Sequence, residues 1–449
     1  MALGGGTFLT QNKVLPGAYM NFVSANTASA SVSDRGVATI GVELPWGKTD
    51  SLFAVTPAKL QKESMKIFGY SYTDEHLKPV RDLMMYSKKV YFYRLNGAGE
   101  KAKNDLATAV YPGTRGNDIA VSISADVDEK DKWDVVTSIN VTEDGKTTLV
   151  KLDKQIVSAA SELQDNDYVT FATGIELAAK ANTYLTGGTD SEVTSANHQT
   201  YLGLAEHVAF NAIGYAGTDE AVKKLYSAYT KRCRDDGGKK FQCVLFDYKA
   251  DFEGVVSINP ENTVADSGAD AASAVYWTLG VVAGTAINAS ATNKKYDGEY
   301  TIHTPEQESL EDSIKNGYFT FHADQDENGN EGVYVLTDIN TLTTLTDEKG
   351  EVFQDNQTIR IIDNIANDIA LLFKTRYIGK VPNDAPGRTS FWSALVSYYK
   401  KLQDIRALQN FKESDIKVEQ GEDKHAVQVT GTIEIVNTMT HLYMTTYVA

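Results

Sequence analysis

A chain of 449 residues is too long for one small domain and fits two or three. Its 42% hydrophobic and 23% charged residues supply enough apolar side chain for packed cores, which excludes general disorder. A formal net charge of -17 repels phosphate backbones and argues against nucleic-acid binding, and two cysteines, Cys233 and Cys243, are too few for a disulfide framework or a four-thiolate metal site.

The chain opens without a basic stretch followed by an apolar core, so no secretory leader is expected. Residues 1–33 hold a single charge, Lys13, and carry a strand pattern at 17–23 between a Gly-rich leader and a soft Ser/Ala/Thr stretch. Residues 34–96 alternate a strand-like run at 35–44, an amphipathic helical stretch around 59–69 and a β-rich run at 88–97. From 97 to 190 the texture changes to short alternating strands, with a hairpin turn at 143–146 and an end at the Gly-rich LTGGTD.

The α/β texture resumes at 191, where a strand at 211–217, a helix at 219–235 and a strand at 239–248 read as a β-α-β unit. Residues 271–293 are uncharged and include Gly280 and Gly284, yet their Ser, Thr and Asn content predicts a buried helix rather than a membrane span. Thr304, Pro305 and Gln307 spell a helix start with a capping box. Two long helices follow, at 357–377 with Ile361, Ile365, Ile369, Leu372 and Phe373 on one face, and at 389–409 with Phe391, Leu395, Tyr398, Leu402 and Ile405. Strands are expected at 413–420, 424–436 and 439–448. The pattern predicts an α/β (α+β) core domain with an inserted mostly-β domain and extended N- and C-terminal β arms. The divisions fall at 1–33 (arm), 34–96 (core), 97–190 (insert), 191–434 (core) and 435–449 (arm strand).

No motif reaches a catalytic reading. GVELPWGKT at 41–49 ends like a phosphate-binding loop, but Gly41 and Gly47 enclose five residues instead of four, and Pro45 has no amide to donate. DQDENGNEG at 324–332 starts like a calcium loop, yet its twelfth position is Val335, so it reads as a hairpin turn. The seven histidines show no ligand spacing. Catalytic, cofactor-binding and metal residues are therefore all expected to be none.

Charge distribution is more informative. Residues 435–449 hold no charge apart from the mostly neutral His441, and residues 1–33 hold only Lys13. A β-prone uncharged end is an aggregation hazard unless its own subunit covers it or another subunit completes it. The second arrangement is β-augmentation, and donated head to tail it propagates into a ring or helical polymer. Residues 374–412 hold eight basic residues against two acidic ones, a +6 segment on an otherwise acidic chain, fit either for docking on an acidic partner or simply for a solvated helix face.

Taken in order and spacing, NKVLPGAYMNF, RGVATIGVELPWG, YPGTRGNDIAV, LTGGTD, RIIDNIANDIALLFKTRYIGKVPN and HLYMTTYV resemble contractile phage tail-sheath proteins over nearly the whole chain. The similar members are those of Gram-positive myophages, defective prophages and phage-tail-like bacteriocins. The resemblance implies a non-enzymatic homo-oligomer, stacked as hexameric rings in a helical sheath around an inner tail tube protein, with baseplate and tail terminator proteins as further partners. It implies no cofactor, no nucleic acid and no membrane insertion, and a place in a virion tail or phage-tail-like particle assembled in the bacterial cytoplasm. Contraction would drive the tube through a target envelope. Pro16, Gly17, Tyr19 and Phe22 would belong to the N-terminal intersubunit arm, Leu442, Tyr443, Met444 and Tyr447 to the C-terminal one, and Lys400, Lys401 and Arg406 to a tube-facing surface. The alternative is a soluble nucleotide-using α/β enzyme.

Overall fold

The computed structural model describes residues 32–143 and 145–448. The chain forms two compact units, one of Ser33–Asn367 with the residues from Ile435 onward, the other built on Asp368–Glu434. In the first, β1 (Val37–Val42), β2 (Phe53–Val55), α1 (Pro57–Phe68), α2 (Lys78–Met84) and β3 (Lys89–Arg94) come before the insert. Helix α1 starts where Thr56 accepts a hydrogen bond from Lys59 N with Pro57 behind it, and stops at Gly69, which takes the left-handed conformation at φ 78°.

The insert holds β4 (Ala107–Ala109), β5 (Ile119–Ala125), β6 (Trp133–Glu143), β7 (Lys146–Val157), β8 (Val169–Phe171) and β9 (Lys180–Tyr184). Its antiparallel sheet runs β7-β6-β5-β9, β4 pairs with β8, and Ile119, Val121, Ile123, Val135 and Ile139 fill its core. The turn between β6 and β7 falls where the Asp-Gly pair predicts it.

After the insert come α3 (Ser195–Ala205), β10 (Ala212–Gly214), α4 (Glu220–Asp235), β11 (Gln242–Phe246), β12 (Val255–Ile258), α5 (Ala274–Gly284), α6 (Leu310–Lys315), β13 (Tyr318–Phe319), β14 (Phe321–Gln325) and β15 (Glu331–Val335). A seven-stranded sheet has the order β13-β12-β11-β10-β1-β3-β2, parallel except for the β2 edge. Its central strands are buried on both faces, which is why QCVLF and VVSI read as apolar runs without alternation. One face packs on α1, α2 and α5, the other on α3 and α4. The β14–β15 hairpin carries the turn at 326–330, in place of a calcium loop.

One expectation needs correction, and another holds over a shorter span. The helix start at Thr304 does not form: Ile302 bridges Val264 and His303 N donates to Thr263 O at 2.9 Å, so the chain stays extended there and turns only from Gln307, through a 3-10 turn into α6. The uncharged 271–293 stretch is helical only over α5, which is almost wholly buried. Among the described residues no helix is long and apolar enough to cross a membrane. Gly280 and Gly284 are there for close approach: a Cβ would fall 2.6 Å from the Leu83 carbonyl oxygen and 2.1 Å from that of Tyr86.

Helix α7 (Asn356–Arg376) begins in the first unit with an unusually polar buried face. Arg360 pairs with Asp338 at 2.6 Å, and Asp363 accepts two hydrogen bonds from Arg234 at 2.5 and 2.9 Å. The expected apolar positions Ile361, Ile365 and Leu372 are buried, while Ile369 and Phe373 are half-buried. In the second unit α8 (Ala385–Asp404), capped by Asp384, begins four residues earlier than expected and packs on the β16 (Ile416–Gln420) and β17 (Val427–Gly431) hairpin. Trp392 Nε1 donates to Ile416 O at 3.0 Å across that contact. The helix also ends early. Arg406 takes φ 62°, and Ile405, expected on the apolar face, is exposed beyond the last turn.

Candidate assembly surface

The loop that most resembled a phosphate site has another task. Residues 45–47, after β1, meet YPGTRGNDIAV and LTGGTD where the chain passes from core to insert and back. Arg94, fully buried at the end of β3, donates Nη1 to Pro112 O (2.7 Å) and Gly47 O (3.2 Å) and Nη2 to Asp190 Oδ1 (3.1 Å). Asp190 also accepts from the Thr114 hydroxyl at 2.5 Å. Gly113, at φ 128°, lies so close to the loop that a Cβ would fall 2.1 Å from Pro45 O. Trp46 is buried beside Tyr111 and donates Nε1 to Lys66 O. The loop is a structural neck: Gly47 O accepts from Arg94 and Pro45 O from Arg115 N, so it presents carbonyls where cradling a phosphate needs amides.

The C-terminal arm is rooted on α7. Gln357 Nε2 donates to Val436 O, Thr438 N donates to Gln357 Oε1, and Asn437 Nδ2 donates to the Thr358 hydroxyl. Beyond Thr438 the expected strand at 439–448 does not form within the chain, since a strand needs a partner for its amides and carbonyls. Leu442 is 86% exposed, Tyr443 91%, Met444 79% and Tyr447 93%, an extended row of large apolar side chains in water. Pro16, Gly17, Tyr19 and Phe22 lie outside the described residues. The β16–β17 hairpin is two-stranded and exposes Val429, so both its outer edges are without a strand partner among the described residues.

The basic segment divides by partner. Lys400 is exposed and pairs with Glu413 at 2.5 Å, Lys401 is half-buried, and Arg406 is exposed past the end of α8. Lys374 and Arg376, on the last turn of α7, are exposed with no ion pair among the described residues. Leu371 (59% exposed) and Ile378 (58%) flank them.

One feature escaped the linear pattern. At the carboxyl ends of β1 and β10, where the connections leave toward opposite edges of the sheet, opens a cleft of about 850 Å³. Tyr215, Tyr276 and Tyr300 line it with His198, and Glu43, Asp219 and Asp270 stand exposed around it. These three carboxylates make no ion pair among the described residues. Asp219 caps α4, and Asp270 accepts from Ala272 N. Burial holds His198 down to about 4, so it is neutral at pH 7, with its Nδ1 3.1 Å from the Tyr226 hydroxyl. Burial raises the Tyr276 hydroxyl, and Tyr300, Asp270 and Glu43 raise it further. Among the described residues no group of three metal-ligating side chains is assembled.

Four family models match consecutive stretches: the tail sheath protein Gp18 domain III N-terminal region at residues 35–95, the phage tail sheath protein beta-sandwich domain at 96–190, the central domain at 191–341 and the C-terminal domain at 348–449. A solved sheath tail protein from Desulfitobacterium hafniense is 33% identical, with a TM-score of 0.81 over 94% of this chain and 98% of that one. The phage-like element PBSX protein XkdK of Bacillus subtilis strain 168 is 29% identical over 98% of this chain and 99% of its own length. The anti-feeding prophage helical sheath in its contracted state shares the fold, at a TM-score of 0.56 and 10% identity over 97% of this chain and 99% of that one.

Proposed function

The chain belongs to the phage tail sheath family and is a structural, non-catalytic component of a phage tail or tail-like particle, and we propose that it stacks as hexameric rings into a contractile sheath around an inner tube. The observation that carries this is the C-terminal arm, which leaves a well-anchored root and then presents Leu442, Tyr443, Met444 and Tyr447 to solvent. A neighbour's open hairpin edge supplies the missing main-chain partners, and each large apolar side chain it covers contributes about 1.5–3 kcal/mol. The N-terminal residues Pro16, Gly17, Tyr19 and Phe22 complete the same exchange from the other end.

Such a lattice changes state without dissolving when donated strands persist while contacts between subunit bodies are exchanged. Release at a baseplate then drives the tube forward, with a terminator protein closing the far end and assembly taking place in the host cytoplasm. Lys400, Lys401 and Arg406 face the tube.

Deleting residues 439–449 tests the reading, because this cut spares the contacts of Asn437 and Thr438. The variant is expected to remain folded and to form no tubes by negative-stain microscopy. Tubes of normal length would overturn strand donation.

A further inference from the structure

We infer that the acidic cleft at the carboxyl ends of β1 and β10 is a socket for the basic end of α7 from a second copy of this chain. The inference rests on the sheath reading for its partner, and on the geometry of the cleft for its chemistry. Cavities at this point of an open parallel sheet are formed by the topology itself, because neighbouring strands send their connections to opposite sides. What fills this one is decided by its walls.

Those walls are aromatic and acidic. Glu43, Asp219 and Asp270 come from three separate connections and ring a floor of Tyr215, Tyr276 and Tyr300, with no Lys or Arg among the lining residues. Anions are repelled. A cation gains both carboxylate attraction and the faces of the tyrosine rings. The adjoining Lys78 shows that the wall accepts one: its Nζ lies 4.6 Å from the centroid of the Tyr300 ring and pairs with Asp266 at 2.5 Å. Glu43, Asp219 and Asp270 are left without such a partner among the described residues.

The occupant is named by the chain's own charge distribution. On a chain of net -17, residues 374–412 carry +6, so a second copy offers the complementary patch at every contact of a repeating assembly. Within that segment Lys400 already has Glu413, whereas Lys374 and Arg376 are exposed without an ion pair among the described residues. Leu371 and Ile378 beside them supply apolar surface for the tyrosine floor. Charged pairs of this kind set register between copies more than they set affinity, which suits a contact exchanged as a lattice changes state.

Zero-length carbodiimide cross-linking of an equimolar mixture of unlabelled and nitrogen-15-labelled chain, read by mass spectrometry, tests this directly. Links joining Glu43, Asp219 or Asp270 to Lys374 in mixed-isotope pairs are expected. Their absence, or links found only in same-isotope pairs, would overturn the inference, and this readout does not require tubes to form. Where the unmodified chain forms tubes, Glu43→Lys with Asp270→Lys is expected to raise the concentration needed for assembly by about tenfold or more, as is Lys374→Glu with Arg376→Glu. The two exchanges combined in one chain should restore it. Tubes unaffected by either pair, or a combination that does not recover, would discard the socket while leaving the sheath reading intact. A socket filled by the tube protein or by a small cation would show itself as loss with the cleft variants alone.

Discussion

Arg94 and Asp190, ninety-six residues apart, meet at 3.1 Å where the outgoing and returning strands of the insert lie side by side. The arginine is fully buried and burial lowers its pKa, so the pair and the carbonyls of Gly47 and Pro112 are what keep the charge tolerable there. Arg94→Met strands all of these acceptors and is expected to cost about 2–4 kcal/mol. Asp190→Asn keeps a carbonyl for Thr114 and should cost less. Calorimetry on both variants checks the order, and an asparagine variant as damaged as the methionine one would contradict it.

The same substitution at two helical glycines is expected to act with opposite signs. Gly284→Ala in α5 pushes a methyl into the Tyr86 carbonyl and should destabilise by about 1–3 kcal/mol. Gly203→Ala in α3 meets nothing within 4 Å at an exposed site and should stabilise by about 0.5–1 kcal/mol. Denaturant melts of the two variants would show midpoints on either side of the parent.

Asp82 makes stability depend on pH. It is fully buried on α2, accepting from Glu299 N at 2.8 Å and from the Tyr296 hydroxyl at 3.3 Å. Burial lifts it to about 6 from an ordinary 3.8, with Glu299 adding to the rise and the hydrogen bonds opposing it. Because the folded value is the higher one, its contribution is whole below pH 4 and is lost as pH rises through 6, an effect on the order of 3 kcal/mol. Asp82→Asn should therefore flatten the dependence of the melting temperature on pH between 4 and 7. An unchanged slope would assign that dependence to other groups.

Replacing Lys400 and Arg406 with glutamate should impair assembly on a tube while leaving the fold intact. Lys400 and Arg406 are exposed and the Lys400–Glu413 pair is half in water, so the melting temperature should shift by no more than about 2 °C. Normal co-assembly with tube protein would remove these residues from the docking surface.

Much of the core could be read from residue order because its signals are local. Central strands such as Gln242–Phe246 are buried on both faces and so are continuously apolar, and α1 is bounded by Thr56, Pro57 and Gly69 within fourteen residues. Signals failed where distant chain overruled them. Thr304 and Pro305 spell a helix start, but the Val264–Ile302 bridge holds that stretch extended. Residues 439–448 have strand composition, yet no strand partner among the described residues. The neck joins 45–47, 112–114 and 188–190, and the cleft joins 43, 219 and 270, which no spacing rule connects. Only the folded chain brings them together.

Both cysteines are buried, Cys243 completely, and burial pushes its thiol up to about 12. A thiol so reluctant to ionise resists oxidation and exchange, so long polymers of this subunit can sit in aerated surroundings without forming stray bridges. The bench benefits too: a cysteine introduced anywhere on the outside becomes a lone chemical handle for dyes or spin labels, with no native thiol to remove first.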